Sequence, residues 1–162
     1  MNHRLLDLLH RYKNRGLLVD TSLLLLYLVG SLEPGLIRDF KRTAGYSDGD
    51  FEHISLFIKS FEKKVITPHI VTQVSDFIDN RIELHQFLAA YISGAKETFK
   101  LSAELIKSDV FVKFGLADTG ILAAAQGRYL ILTDDGPLFG LLASLKIDAV
   151  NLDQIRAISE DI

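Results

Sequence analysis

Asp20, Asp118, Asp134 and Asp135 each stand where an apolar run gives way to a helix-like stretch, and Gln73 stands at a similar junction. In a protein of alternating strands and helices, residues just after a strand, or in the first turns of the next helix, gather at one sheet edge. Acids far apart in sequence can therefore share one pocket. Hard divalent cations such as Mg²⁺ and Mn²⁺ prefer oxygen ligands, and three or four carboxylates suit one or two such ions. Ions held in this way supply what phosphodiester hydrolysis requires: a more acidic water, neutralised phosphoryl charge and a stabilised leaving oxygen. No protein nucleophile is needed.

The elements that would position these residues can be read from periodicity. Leu17 to Val19, Val65 to Thr67, Tyr129 to Leu132 and Ile147 to Val150 are short apolar runs without alternation, the pattern of strands buried on both faces. Between them lie helical patterns. Thr21 to Ser31 forms one, and Pro34 is suited to open another through Arg42. Phe51, Ile54, Phe57, Ile58 and Phe61 share a core face, and Pro68 starts a helix carrying Gln73 on its second turn. Further helical patterns run around Leu84 to Ile92 and around Ala95 to Ile106, and Gly115 opens one rich in alanine. Asp135 can cap the helix after Gly136-Pro137. Thr43 to Gly49 is a loop joining two helices. The expected fold is α/β, a three-layer α/β/α arrangement with a central parallel sheet of four to five short strands. Right-handed crossovers would put the C-terminal ends of the strands, and with them the acids, at one edge.

Composition sets the outer bounds. The 162 residues, 48% of them apolar, suit one domain with a full core. With net charge -3 and a sequence pI near 5.9, no global basic field would draw nucleic acid, so any such binding must be local. The absence of cysteine excludes disulfides, thiolate metal sites and a thiol nucleophile. Leu23 to Leu32 is about half the roughly 20 residues needed to cross a bilayer. The stretch from His3 to Arg11 is an amphipathic helix with interspersed charges, unlike a signal peptide. The expected setting is the cytoplasm, with no membrane partner.

Four segments carry a family resemblance: Leu18-Val19-Asp20-Thr21-Ser22, Thr67-Pro68-His69-Ile70-Val71-Thr72-Gln73-Val74, Gly115-Leu116-Ala117-Asp118 and Leu132-Thr133-Asp134-Asp135. In that order they resemble the motif blocks of PIN domains. The resemblance spans roughly Leu17 to Asn151 of a single domain over residues 1–162, and leaves the N-terminal helix, residues 1–15, outside. It implies a parallel sheet with an acidic pocket, usually Mg²⁺- or Mn²⁺-dependent cleavage of RNA, and, in many bacterial and archaeal members, toxins paired with an antitoxin protein. By position, Asp20, Asp118 and Asp135 would be the catalytic metal ligands, direct or through water, with Asp134 as a neighbouring candidate. Thr133 and Ser22 resemble the polar residues that orient these acids, and Asn151 would border the pocket. A homodimer is compatible with the sequence.

Gln73 departs from the family, which usually has Glu there. It keeps one carbonyl acceptor but loses the charge, so weaker cation binding is expected. Asp76, three residues on, lies on the same helical side and could partly replace it. Two other readings remain open at this point: a PIN-like adaptor for RNA or protein that has lost catalysis, and acids that serve only as helix caps. His69 reads as a partly buried polar residue near a helix start, and Lys96, Lys100, Lys107, Lys113 and Arg128 as solvated helix faces. After the first strand, Asp20-Thr21-Ser22 satisfies neither the Asp-x-Asp of haloacid-type phosphatases nor the paired acids of receiver domains, and no glycine-rich loop of nucleoside triphosphate binders is present.

Overall fold

The structure, a computed structural model, describes residues 3–78 and 80–159. In chain order the elements are α1 (His3–Tyr12), β1 (Leu17–Val19), α2 (Thr21–Leu32), α3 (Leu36–Asp39) and α4 (Asp48–Lys59), then β2 (Lys64–Ile66), α5 (Pro68–Ile78), α6 (Ile82–Gly94), β3 (Lys96–Glu97) and α7 (Ser102–Leu105). The chain continues through α8 (Asp109–Ala125), β4 (Leu130–Leu132), α9 (Gly136–Ser144), β5 (Ala149–Val150) and α10 (Leu152–Ser159).

The strands form one five-stranded sheet in the order β3-β2-β1-β4-β5, parallel throughout. Leu18 pairs with Val65 on one side and with Ile131 on the other, and all the residues of β1 and β4 are buried. That burial on both faces explains the continuous apolar runs, since helices cover the sheet above and below. The α/β class with a central parallel sheet flanked by helices agrees with the expectation from sequence.

From β1 the chain builds outward through β2 to β3, then returns to lay β4 on the other side of β1. The strand order therefore reverses between β1 and β4. In open α/β sheets a crevice forms beyond the strand C-termini at such a reversal, because the flanking connections leave in opposite directions. Asp20 and Thr133-Asp134-Asp135 emerge on either side of it.

Helix α2 forms the hub beside β1. Leu23, Leu24, Leu25 and Leu26 are all at most 1% exposed, so the helix is apolar around its circumference and packs against α4, α5 and α6. Each such leucine contributes about 1.5–3 kcal/mol of burial. Gly30 permits the closest approach: a Cβ there would overlap the Phe51 ring of α4. Helix α1 is fastened by Leu5, Leu8 and Tyr12, which are buried, and by the Tyr12 hydroxyl, which donates to Asp148 Oδ2 at 2.8 Å.

A second fastening joins α10 to α4. Ser47 and Asp50 form a reciprocal capping box at the start of α4, and Arg156 of α10 donates to both Asp50 oxygens, at 2.7 and 2.9 Å. The guanidinium, helped by the Ser47 contacts, holds the Asp50 carboxyl down at about 2. The loop between α3 and α4 is thus fixed at its far end, while the buried Thr43 hydroxyl fixes its near end by donating to the Ile37 and Phe40 carbonyls.

Three local expectations need correction. The helix expected from Pro34 to Arg42 is only Leu36–Asp39, because Thr43 turns the chain back onto the Ile37 and Phe40 carbonyls. The pattern around Ala95 to Ile106 is not one helix: Lys96–Glu97 extends the sheet as an edge strand, and only Ser102–Leu105 is helical. Thr98 N donates to Ile66 O at 2.9 Å, so this segment follows the β2 backbone rather than its own periodicity. The last helix, α10, has no counterpart in the sequence reading. Among the described residues no helix is long and apolar enough to cross a membrane.

Candidate acidic site at the strand reversal

Asp20 is the most deeply placed of the acids, 8% exposed. Its backbone still belongs to the sheet, with N donating to Leu132 O at 2.8 Å, while its side chain caps α2 by accepting from Thr21 N at 2.7 Å. The other carboxylate oxygen accepts from the fully buried Thr133 Oγ1, also at 2.7 Å. Thr133 therefore ties the end of β4 to the end of β1, as the orienting role anticipated for it requires. Burial pushes the Asp20 carboxyl above its ordinary range, the Thr133 and Thr21 contacts oppose that shift, and the charges of Asp135 and Asp134 add to it.

Asp118 arrives from α8. That helix is broken at Gly115, whose φ of 81° and ψ of -179° are accessible almost only to glycine. The break starts a new helical segment, and the Thr119 hydroxyl donates to the Gly115 carbonyl at 2.7 Å. Asp118 consequently sits in the first turn of that segment. Burial, then the charges of Asp20 and Asp135, raise its carboxyl to about 7. The charges of Asp20, at the end of β1, and of Asp135, at the β4–α9 junction, thus both reach Asp118 on α8.

Asp135 caps α9 by accepting from Leu138 N at 2.8 Å, and its own N donates to Thr133 Oγ1 at 3.1 Å. Asp134 accepts from the Tyr46 hydroxyl, which the α3–α4 loop carries across to the site. Burial and Asp134 raise the Tyr46 phenol above its ordinary value, and Ser22 lies close enough to oppose that shift. Tyr46, Asp134, Asp135 and Asn151 line one cavity of about 260 Å³. Asn151 itself is held by a reciprocal pair with Gln154 at the start of α10.

On the opposite side Gln73 Oε1 accepts from Thr21 Oγ1 at 2.7 Å. Gln73 is thereby linked through Thr21 to Asp20, at the corner where the sequence positions it. Asp76 takes a different place: it lines a groove with Arg42, Phe77 and Arg81, and is not among the charges acting on Asp20 or Asp118. His69 buries Nδ1, which has no hydrogen-bond partner among the described residues, and a Cβ at Gly120 would lie 3.3 Å from it. Tyr46 escaped the sequence reading. An aromatic isolated between Gly45 and Ser47 in a polar loop was the available signal.

The donors at this edge are all oxygens, as hard cations prefer, and the raised Asp118 carboxyl is what a shared cation would reverse. In chemistry the residues fit Mg²⁺ or Mn²⁺. In arrangement the acids stand apart, since among the described residues no three acidic or histidine side chains converge as a ready ligand set. A comparison with protein-family models finds no match to the chain, and neither does a comparison with curated proteins. Fold and site together define a parallel α/β protein with an acidic pocket at its strand reversal.

Proposed function

We propose that this chain is a divalent-metal-dependent ribonuclease of the PIN type, acting in the cytoplasm as the toxin of a toxin–antitoxin pair. The observation that carries the reading is the hydrogen-bonded joining of three of the resembling segments at one sheet edge, Thr133 to Asp20 and Thr21 to Gln73, with the Asp118 carboxyl raised by burial and by the charges of Asp20 and Asp135. Asp20, Asp118 and Asp135 would hold Mg²⁺ or Mn²⁺, with Asp134 beside them. When bound, such an ion makes a water more acidic and neutralises charge on the phosphoryl oxygens.

The chain's own residues do the positioning. Thr133 and Thr21 N fix both oxygens of Asp20, leaving further lone pairs on each for the pocket. Asp135 is oriented by Leu138 N, and Tyr46 holds Asp134. Gln73 presents a neutral acceptor already engaged by Thr21, so it can orient a water but adds no charge. Purified protein supplied with Mn²⁺ should cleave single-stranded RNA, and Asp20→Asn should lower the rate by at least about 10²-fold, the scale of losing one electrostatic group in a reaction of this kind. Undiminished cleavage by that variant would remove the site.

A second reading, a PIN-like adaptor that binds RNA or protein without turnover, draws on one observation, the uncharged Gln73 with its carbonyl occupied. Gln73→Glu separates the two. In a weakened nuclease the added charge should strengthen Mn²⁺ binding and speed RNA cleavage together, whereas an adaptor would gain cation affinity with no turnover.

A further inference from the structure

One helical turn along α5 from Gln73, a second surface feature opens beside the acidic pocket. It is a groove of about 580 Å³ between the α3–α4 loop and the end of α5. The Arg42 guanidinium carbon lies 3.9 Å from the centre of the Phe77 ring, and that of Arg81 lies 5.5 Å from the centre of Phe40. Lys41 completes a set of three cations, accompanied by the acids Asp39 and Asp76 among the described residues that line the groove.

Stacking on an aromatic face suits a guanidinium, which is planar and weakly hydrated, and restricts the freedom of a long side chain. It leaves the N–H edge available, and that edge matches a phosphate in bidentate fashion. A stacked arginine is thus pre-oriented for an anion. A helical turn advances 5.4 Å, so Phe77 and Asp76 stand about that far along α5 from Gln73. Gln73 in turn touches Thr21 beside Asp20. A chain with regularly spaced phosphates could lie in the groove and reach the acids.

We infer that Arg42 and Arg81, with Lys41, form a phosphate-binding track that seats the backbone of single-stranded RNA next to the acidic pocket. The inference rests on the nuclease reading for its choice of polyanion. The two arginines hold successive phosphates, and the acids Asp39 and Asp76 temper the attraction. With a net charge of -3 there is no global basic field to assist RNA, so attraction must come from a local feature of this kind.

The test is the salt dependence of binding of a single-stranded oligoribonucleotide to the full chain in EDTA, where no turnover occurs. Each phosphate contact contributes about 0.7 to the slope of log affinity against log salt for single strands. The double variant Arg42→Gln, Arg81→Gln should therefore flatten the slope by about 1.4. Asp39→Asn, which alters neither arginine nor its aromatic partner, should tighten binding several-fold and guards against an unfolded double variant. A slope unchanged in the double variant, with affinity unchanged by Asp39→Asn, overturns the track but leaves cleavage by the wild type intact. Wild type that binds no RNA in EDTA at any salt concentration overturns the track, while the nuclease reading is judged separately by cleavage with Mn²⁺.

Discussion

At the scale of single residues, the acids carry two duties at once. Asp20 and Asp135 are helix caps by hydrogen bonding, and their charges add to the burial that raises the Asp118 carboxyl to about 7. The consequence for stability has a definite sign. In the unfolded chain Asp118 titrates near its ordinary 3.8, so between that value and about 7 the folded protein binds the extra proton and stability falls as pH rises. Below about 4 the penalty is absent, and above about 7 it is complete. Asp118→Asn should therefore melt higher than wild type at pH 8 and nearly level with it at pH 4. With allowance for solvent at this partly buried side chain, the gain at pH 8 is about 1–2 kcal/mol, roughly 2–8 °C in Tm. Melting curves at the two pH values check it, and an equal difference at both would deny the raised carboxyl. The residues themselves were legible: Asp20, Asp118, Asp134 and Asp135 all stand at strand or helix starts that periodicity marks. Tyr46 was not, because its partner Asp134 is far away in sequence and only the folded loop brings them together.

At the scale of elements, the break in α8 decides where Asp118 points. Gly115 occupies a backbone region that carries a penalty of about 1–3 kcal/mol for any other residue. Gly115→Ala should lower stability by about that amount, or else straighten the helix and turn Asp118 away from Asp20. In the second case the pH-dependent part of the Asp118 effect should shrink, readable from the same melts. Strongly apolar elements such as β1, α2 and β4 could be read from sequence because burial dictates their composition. The segment from Ala95 to Ile106 could not. Its strand is two exposed, charged residues whose extended form comes from pairing with the β2 backbone, and backbone pairing leaves no mark in side-chain periodicity. The shortened α3 has a similar origin in a single buried hydroxyl, that of Thr43.

At the scale of the molecule, the order β3-β2-β1-β4-β5 makes neighbours of the segments that follow β2, β1 and β4. The sequence implied one acidic edge from right-handed crossovers alone; the reversal between β1 and β4 locates it. The peripheral fastenings also make sense at this scale, because α10 clamps α4 through Arg156 and Asp50, and the clamped loop delivers Tyr46 to the site. If the acids form one centre for a divalent cation, binding to the folded state must stabilise the whole domain. At a hundredfold excess over Kd that linkage is worth about 2.7 kcal/mol, or roughly 5–11 °C for a chain of this size. The most direct measurement is the melting temperature of wild type and Asp20→Asn across a Mn²⁺ titration. The expected result is a saturating rise for wild type and little or none for the variant; a flat wild-type curve, or an equal rise in both, would contradict a shared metal centre at Asp20, Asp118 and Asp135.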